Sequence, residues 1–103
     1  MAGVIRPEHI VGTWAHVHEE DTPGRTVFRR GGPLPPSRGR RMLEFLPGGE
    51  LREGGPGPDD RRRWQAGSWT ADGQRLILRL PGRADEVLDV ADFGADRMVV
   101  QRE

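Results

Sequence analysis

The sequence predicts an all-β protein: a single antiparallel up-and-down β-barrel of about eight short strands, with at most one N-terminal helical turn. Fifteen Gly and nine Pro divide the 103 residues into pieces too short for an uninterrupted amphipathic helix. Apolar and polar residues alternate within several of these pieces, as in half-buried strands. Turn residues recur about every ten positions, which indicates an antiparallel meander. An open meander would expose two edges, and closure into a barrel removes them.

The first half of the chain begins with a predicted helical turn over Arg6–Val11, because Pro7 suits the start of a helix. Two stretches rich in Gly and Pro, 31–37 and 54–60, are predicted to be exposed loops. The strands predicted for this half are Gly12–Glu19, Arg25–Arg30, Arg41–Leu46 and Glu50–Glu53.

The strands predicted for the second half are Arg62–Trp69, Arg75–Leu80, Glu86–Ala91 and Arg97–Arg102. The pair Asp72 and Gly73 predicts a tight hairpin turn between the first two of these strands. The apolar residues of Glu86–Ala91 would also suit one face of a helix, but its short length and the following Gly94 favour a strand. Because the strands and turns use nearly the whole chain, we expect residues 1–103 to form one domain.

Composition excludes several classes of function. The chain has no Cys, so it has no disulfide framework or thiolate site, and its formal net charge of zero argues against nucleic-acid binding. No apolar run is long enough to cross a bilayer, and the first residues lack the apolar core of a signal peptide. We therefore expect a cytoplasmic monomer or homodimer that has no cofactor and binds neither nucleic acid nor membrane.

Two glycine-x-tryptophan motifs, Gly12–Trp14 and Gly67–Trp69, mark strands in the two halves of the chain. Between them lies the predicted hairpin Leu43–Leu51, and Asp96–Val100 closes the chain. In their order and spacing, these features resemble small bacterial lipocalin-like domains, which are calycin-type β-barrels. The resemblance covers nearly the whole chain. It implies a barrel with a small, partly polar pocket that binds a small organic molecule.

The same resemblance leaves two other functions open. Small barrels of this group also catalyse cyclase- or isomerase-type steps in natural-product biosynthesis, and a barrel filled by its own side chains could serve as a protein-interaction module. In the larger lipocalins the first tryptophan plugs one end of the barrel, and an arginine from the last strand lies across it. Trp14 matches the tryptophan, and Arg102 is the candidate for the arginine.

The residues expected to line the pocket follow from strand alternation. If Trp14 points inward, His16 and His18 also point inward, and Arg41 shares the face of Leu43 and Phe45. An Arg facing two His in a small cavity favours an anionic or carbonyl-bearing ligand; alternatively, the Arg41 side chain reaches the rim. The predicted ligand-binding residues are Trp14, His16, His18, Phe28, Arg41, Leu43, Phe45, Trp69, Leu78 and Met98.

The chemistry of an enzyme in this pocket would depend on three of these residues. His16 or His18 would transfer a proton, and Arg41 would stabilise a developing oxyanion. Two His spaced two apart on one strand are also metal-ligand candidates, with Glu20 as a third ligand if the strand reaches it. Alternatively, the two His line a polar pocket or lie at the rim of the barrel. We predict no metal site.

Overall fold

The computed structural model describes residues 5–31, 40–56 and 62–101. Within these ranges the chain forms one helical turn, α1 (Pro7–Ile10), one turn of 3-10 helix (His18–Glu20) and eight strands. The strands are β1 (Gly12–His16), β2 (Arg25–Arg30), β3 (Met42–Phe45), β4 (Glu50–Pro56), β5 (Arg62–Asp72), β6 (Arg75–Arg79), β7 (Glu86–Phe93) and β8 (Arg97–Gln101).

The eight strands of the described residues close into an antiparallel barrel in the order β1-β2-β8-β7-β6-β5-β4-β3. The predicted all-β fold, a closed eight-stranded antiparallel barrel with one N-terminal helical turn, is confirmed. From β3 to β8, each strand pairs with the next along the chain. The β1–β2 hairpin closes the ring between β3 and β8. β1 pairs with β3, and β2 pairs with β8. β2 and β3 therefore lie on opposite sides of β1.

The barrel interior is packed with large apolar side chains from alternate strand positions. Ile5 and Ile10 precede β1 and join the same buried cluster. Burial of each such side chain stabilises the fold by about 1.5–3 kcal/mol relative to exposure. The strand residues of the cluster are Trp14, Phe28, Leu43, Phe45, Leu51, Trp69, Leu76, Leu78, Leu88, Val90, Met98 and Val100.

Several element boundaries differ from the sequence prediction, and three of the differences are informative. β1 ends at His16, and the chain then turns through the 3-10 turn, where Asp21 N–H donates to the His18 carbonyl. β4 continues to Pro56 through the start of a predicted loop, because its last residues pair with β5. Glu86–Ala91 is a strand, as expected, and β7 extends to Phe93 through an irregularity near Asp92. The remaining loop predictions, 32–37 and 57–60, lie outside the described residues.

Gly67 lies on β5 in close contact with the end of β6. A Cβ atom at this position would lie 2.2 Å from the carbonyl oxygen of Arg79 and 2.9 Å from a methyl carbon of Leu80. The second glycine-x-tryptophan motif therefore has a packing reason: glycine allows the contact, and Trp69 follows on the same inward face. Trp64 lies on the opposite face of β5 and is 49% exposed.

No helix in the described residues is long and apolar enough to cross a membrane.

Candidate functional site

One end of the barrel is closed by Trp14 and the residues around it. Trp14 is fully buried, and its indole Nε1 donates to the carbonyl of Ile10, 2.9 Å away, in the helical turn. The guanidinium carbon of Arg30 lies 4.6 Å from the centroid of the Trp14 ring, which is a cation–π contact. Arg30 Nη1 also donates to the carbonyls of His9 and Val11, at 3.0 and 2.9 Å. Arg30 thus joins the indole to the segment that leads into β1.

The cation over Trp14 was expected to be Arg102, which lies outside the described residues. The register explains the position of Arg30, because Trp14 and Arg30 are direct cross-strand partners on β1 and β2. Gly12 leaves room for the arginine: a Cβ there would lie 2.8 Å from Arg30 Cδ, and Gly12 also has a φ of 139°. The first glycine-x-tryptophan motif therefore accommodates a cation from the neighbouring strand.

Most of the predicted ligand-binding residues contact one another in the packed core. Phe45 and Trp69 pack edge to face, with ring centroids 5.3 Å apart. Of the ten, the structure places only Phe28 and Arg41 on the wall of the cavity described below. The predicted residues that belong to the buried cluster are Trp14, Phe28, Leu43, Phe45, Trp69, Leu78 and Met98.

Arg41 extends across the open end of the barrel, opposite the Trp14 end. It immediately precedes β3, and its Nη1 donates to Glu86 Oε2 on β7 at 2.9 Å. Three strands separate β3 from β7 in either direction around the barrel, so this ion pair connects opposite walls. Arg41 Nε also donates to Glu53 Oε2 on β4, at 2.9 Å. We call this arrangement the Arg41 bridge (Arg41, Glu53 and Glu86).

Hydrogen bonding nearly saturates the guanidinium of the Arg41 bridge. Nη2 donates to both Glu53 and Glu86, so four of the five N–H groups of Arg41 are used. One Nη1 N–H has no partner among the described residues. Arg41 was expected at the barrel mouth, and the two carboxylates that neutralise it there were not foreseen, because they are distant in sequence.

The pKa shifts of Arg41 and Glu53 in the bridge both favour the charged form. Burial lowers the pKa of Arg41, but the hydrogen bonds and charges of Glu86 and Glu53 outweigh burial and raise it above its usual value. Burial likewise raises the pKa of Glu53, but hydrogen bonds from Arg83 and Arg41 outweigh it and hold the pKa below its usual value. Arg83 Nη2 lies 2.6 Å from Glu53 Oε1. Each buried charge therefore has an opposite charge in contact.

A cavity of about 700 Å³ lies beside the Arg41 bridge. We call it the mouth cavity. Its inner wall is apolar, and its rim carries charged and amide side chains. Sequence reasoning missed most of its lining, because the rim combines β2 with β7 and β8, and β2 lies beside β8 only through the position of the β1–β2 hairpin. The lining residues are Thr26, Phe28, Arg41, Arg75, Asp85, Glu86, Val87, Leu88, Asp89, Val100 and Gln101.

His16 and His18 occupy different environments. His16, at the end of β1, faces inward opposite Phe28, and its Nε2 lies 2.8 Å from Asp21 Oδ2. His18 is on the 3-10 turn, where its side chain is 55% exposed and its Nδ1 lies 3.6 Å from Glu19. The expectation that His18 points inward with His16 is wrong, because the strand ends first. No group of three or more metal-ligating side chains occurs within ranges 5–31, 40–56 and 62–101.

Arg40 attaches the segment before β3 to the β1–β2 loop. It is only 7% exposed, and its Nη1 donates to the His16 carbonyl at 2.8 Å. Its Nη2 donates to Glu19 Oε2 at 2.7 Å. This side-chain hydrogen bond from Arg40 is the main cause that lowers the pKa of Glu19 from 4.5 to about 2. The contact holds the loop that carries Asp21.

A second depression, of about 740 Å³, lies outside the closed end. It runs between α1 and the β3–β4 turn and is mostly apolar, with Pro7, Val11 and Trp69 among its lining residues. Glu8 is the one ionisable residue among the described residues that line it. This groove offers apolar contact area but few polar or ionisable side chains.

Fold and site together define a small closed β-barrel with one end plugged by tryptophan and one end open around an ionised bridge. Comparison of the chain with family models, curated proteins and solved structures found no match. The barrel has the closed, eight-stranded form that the lipocalin resemblance implies, and membership in that family stays a prediction.

Proposed function

We propose that the protein binds a small uncharged organic molecule in the mouth cavity. The observation that carries the proposal is the cavity itself, whose volume lies within the range of about 300–1,000 Å³ typical of ligand pockets. The lumen beyond the Arg41 bridge is packed with side chains. The ligand therefore rests at the open end and does not enter the barrel.

The charges around the mouth cavity favour an uncharged ligand. Arg41 faces Glu53 and Glu86, and Asp85 lies 3.4 Å from Arg79. Arg75 and Asp89 are direct cross-strand partners. An anionic ligand would have to displace Glu86 from Arg41 and leave that carboxylate without its cation, which is unfavourable in a partly buried site.

Polar groups that remain available favour a ligand with a hydrogen-bond acceptor. The spare Nη1 N–H of Arg41 can donate to a carbonyl oxygen, and Thr26 and Gln101 add a hydroxyl and an amide to the lining. Phe28, Leu88 and Val100 supply the apolar side. A compact ketone, lactone or amide with an apolar ring combines these properties.

The test compares three probes that share one ring: cyclohexyl methyl ketone, cyclohexanecarboxylate and cyclohexylamine. Binding is measured by protein-detected NMR titration. We expect the ketone to bind at least about tenfold more tightly than either ion, which corresponds to about 1.4 kcal/mol. Equal or tighter binding of the carboxylate would contradict the charge argument, and no binding of any probe would contradict the proposed function.

A variant that fills the mouth cavity provides the structural control. Thr26 lines the cavity, so Thr26→Trp should abolish ketone binding. Thr70 is an exposed strand threonine that lines the groove at the closed end instead. Thr70→Trp should therefore leave ketone binding unchanged. If Thr70→Trp abolished ketone binding and Thr26→Trp left it unchanged, the ligand would bind in the groove at the closed end instead.

A further inference from the structure

The depression outside the closed end, here called the closed-end groove, is an open apolar trough on the barrel surface. Pro7 from α1 and Pro47 from the β3–β4 turn are exposed on its walls, and the largely buried Trp69 contributes to its floor. Gly48 and Gly49 also line it and carry no side chain, so a ligand can approach the backbone there. An open apolar groove of this kind suits an extended peptide better than an enclosed small molecule.

Glu8 supplies the only charge among the described residues that line the closed-end groove. Its side chain is exposed, and within the described ranges it forms no hydrogen bond or ion pair. By contrast, Glu19 and Glu20 both pair with arginines. A partner that combines apolar side chains with one cation would therefore complement the groove in both shape and charge.

The chain itself contains a peptide of this kind. Residues 32–39 lie outside the described part of the chain and have the sequence Gly-Pro-Leu-Pro-Pro-Ser-Arg-Gly, in which Arg38 is the one charged residue. A polyproline II helix has three residues per turn, so a peptide that adopts it presents Pro33 and Pro36 on one face. Peptides with prolines at this spacing dock in apolar grooves, because proline loses little conformational entropy on binding.

Covalent connection favours a second copy of the chain as the source of this peptide. Arg38 is two residues from Arg40, so their Cα atoms lie at most about 7.6 Å apart. Arg40 is at the open end, where its guanidinium donates to the His16 carbonyl. Glu8 is at the closed end, in the turn that precedes β1, and the strand from Gly12 to His16 alone spans about 13 Å. The arginine of the same chain is therefore held near the wrong end of the barrel.

We propose that segment 33–38 of one copy docks in the closed-end groove of a second copy, with Arg38 paired to Glu8. The prolines of the segment pack against the exposed apolar side chains of the groove, and the guanidinium donates to the carboxylate of Glu8. Each copy carries both the segment and the groove, so reciprocal docking gives a closed two-fold dimer. The mouth cavity lies at the other end of the barrel, and this interaction is independent of ligand binding there.

The first experiment measures the oligomeric state of the full chain by sedimentation velocity over a wide range of concentration. The wild-type chain should form a dimer as its concentration rises. Thr70→Trp places a large side chain in the closed-end groove and should abolish the dimer. Trp64→Ala is the control, because it removes an exposed tryptophan of the same strand that does not line the groove; it should leave the dimer unchanged.

An exchange of charges tests the ion pair at the centre of the proposal. Glu8→Arg and Arg38→Glu should each weaken the dimer, because each places like charges together. The double variant restores opposite charges and should dimerise more tightly than either single variant. This exchange also keeps the proposal testable if Thr70→Trp is unstable.

The second experiment titrates a synthetic peptide of residues 32–39 into the dilute full chain and follows backbone amides by NMR. The largest shift changes should lie in the closed-end groove, at Val11, Thr70 and Ala71. Replacing Arg38 with Gln in the peptide should weaken binding by about two- to fivefold, as expected for an exposed ion pair. The Ser37→Ala peptide is the control and should bind as tightly as the unmodified peptide.

Four results would overturn the proposal. They are a chain that stays monomeric at every concentration, a dimer that survives Thr70→Trp, a dimer that is lost in Trp64→Ala, and a charge-exchanged double variant no tighter than the single variants. A peptide that leaves the amides of the closed-end groove unchanged would overturn it as well. The proposed binding of a small molecule in the mouth cavity would stand in each case.

Discussion

The contact at Gly67 allows the barrel register to be tested by adding a single methyl group. In Gly67→Ala the new Cβ would lie 2.2 Å from the Arg79 carbonyl oxygen, whereas real Cβ atoms essentially never approach closer than 3.0 Å. Strands β5 and β6 would have to separate by about 0.8 Å at a point where both are held by cross-strand pairs. Overpacking of this kind costs about 1–3 kcal/mol. For a domain of this size, about 2 kcal/mol corresponds to a fall in Tm of about 8–16 °C.

The assay is thermal and urea unfolding of Gly67→Ala beside a control glycine. Gly94→Ala is the control, because its Cβ would meet nothing closer than the Arg97 carbonyl oxygen at 3.7 Å, which is ordinary contact. We expect Gly94→Ala to change the free energy of unfolding by less than about 0.5 kcal/mol. Equal stability of the two variants would refute the predicted close approach of β5 and β6.

Three further predictions concern the closed end, the loop and the outer face. Arg30→Met removes the cation over Trp14 and its hydrogen bonds, and should lower the free energy of unfolding by about 1–3 kcal/mol in urea; an unchanged value would contradict the contact. Glu19 has a pKa of about 2 instead of 4.5, so its pairing with Arg40 stabilises the fold above pH 4.5 and is lost as the pH falls toward 2. Glu19→Gln should flatten the measured stability–pH curve in that window, and a curve parallel to wild type would be evidence against the pairing. Trp64→Phe should remove most acrylamide-quenchable fluorescence, because only Trp64 among the three tryptophans is substantially exposed; persistent quenching would place another tryptophan at the surface.

Local sequence patterns were sufficient to predict the strands and the barrel. The turn at Asp72 and Gly73, with alternating leucines after it, predicts the β5–β6 hairpin that the structure contains. The strand order around β1 could not be predicted in this way, because pairing of β1 with β3 depends on contacts between distant residues. A tight turn predicts that the two strands it joins will pair, and it carries no information about which strand lies on the other side of either one.

The candidate site was predictable only in part, for the same reason. Alternation from Leu43 put Arg41 at the mouth, with the rim as the alternative, and the structure has Arg41 across the open end. Its partner Glu86 lies 45 residues away, and nothing local to either residue indicates the pair. The predicted strand Gly12–Glu19 also included His18. β1 ends at His16 instead, because the following residues form the 3-10 turn that brings Asp21 to the imidazole. The alternation of apolar and polar residues along a strand does not show where side-chain hydrogen bonds end the strand.

The most direct test of the account is an NMR map of where cyclohexyl methyl ketone binds. Backbone amide shifts are followed during titration of the wild-type chain. The account predicts that the largest changes cluster at the mouth cavity, at residues such as Thr26, Leu88 and Gln101. Changes centred on the closed-end groove around Val11 and Thr70, or no saturable change at all, would contradict it.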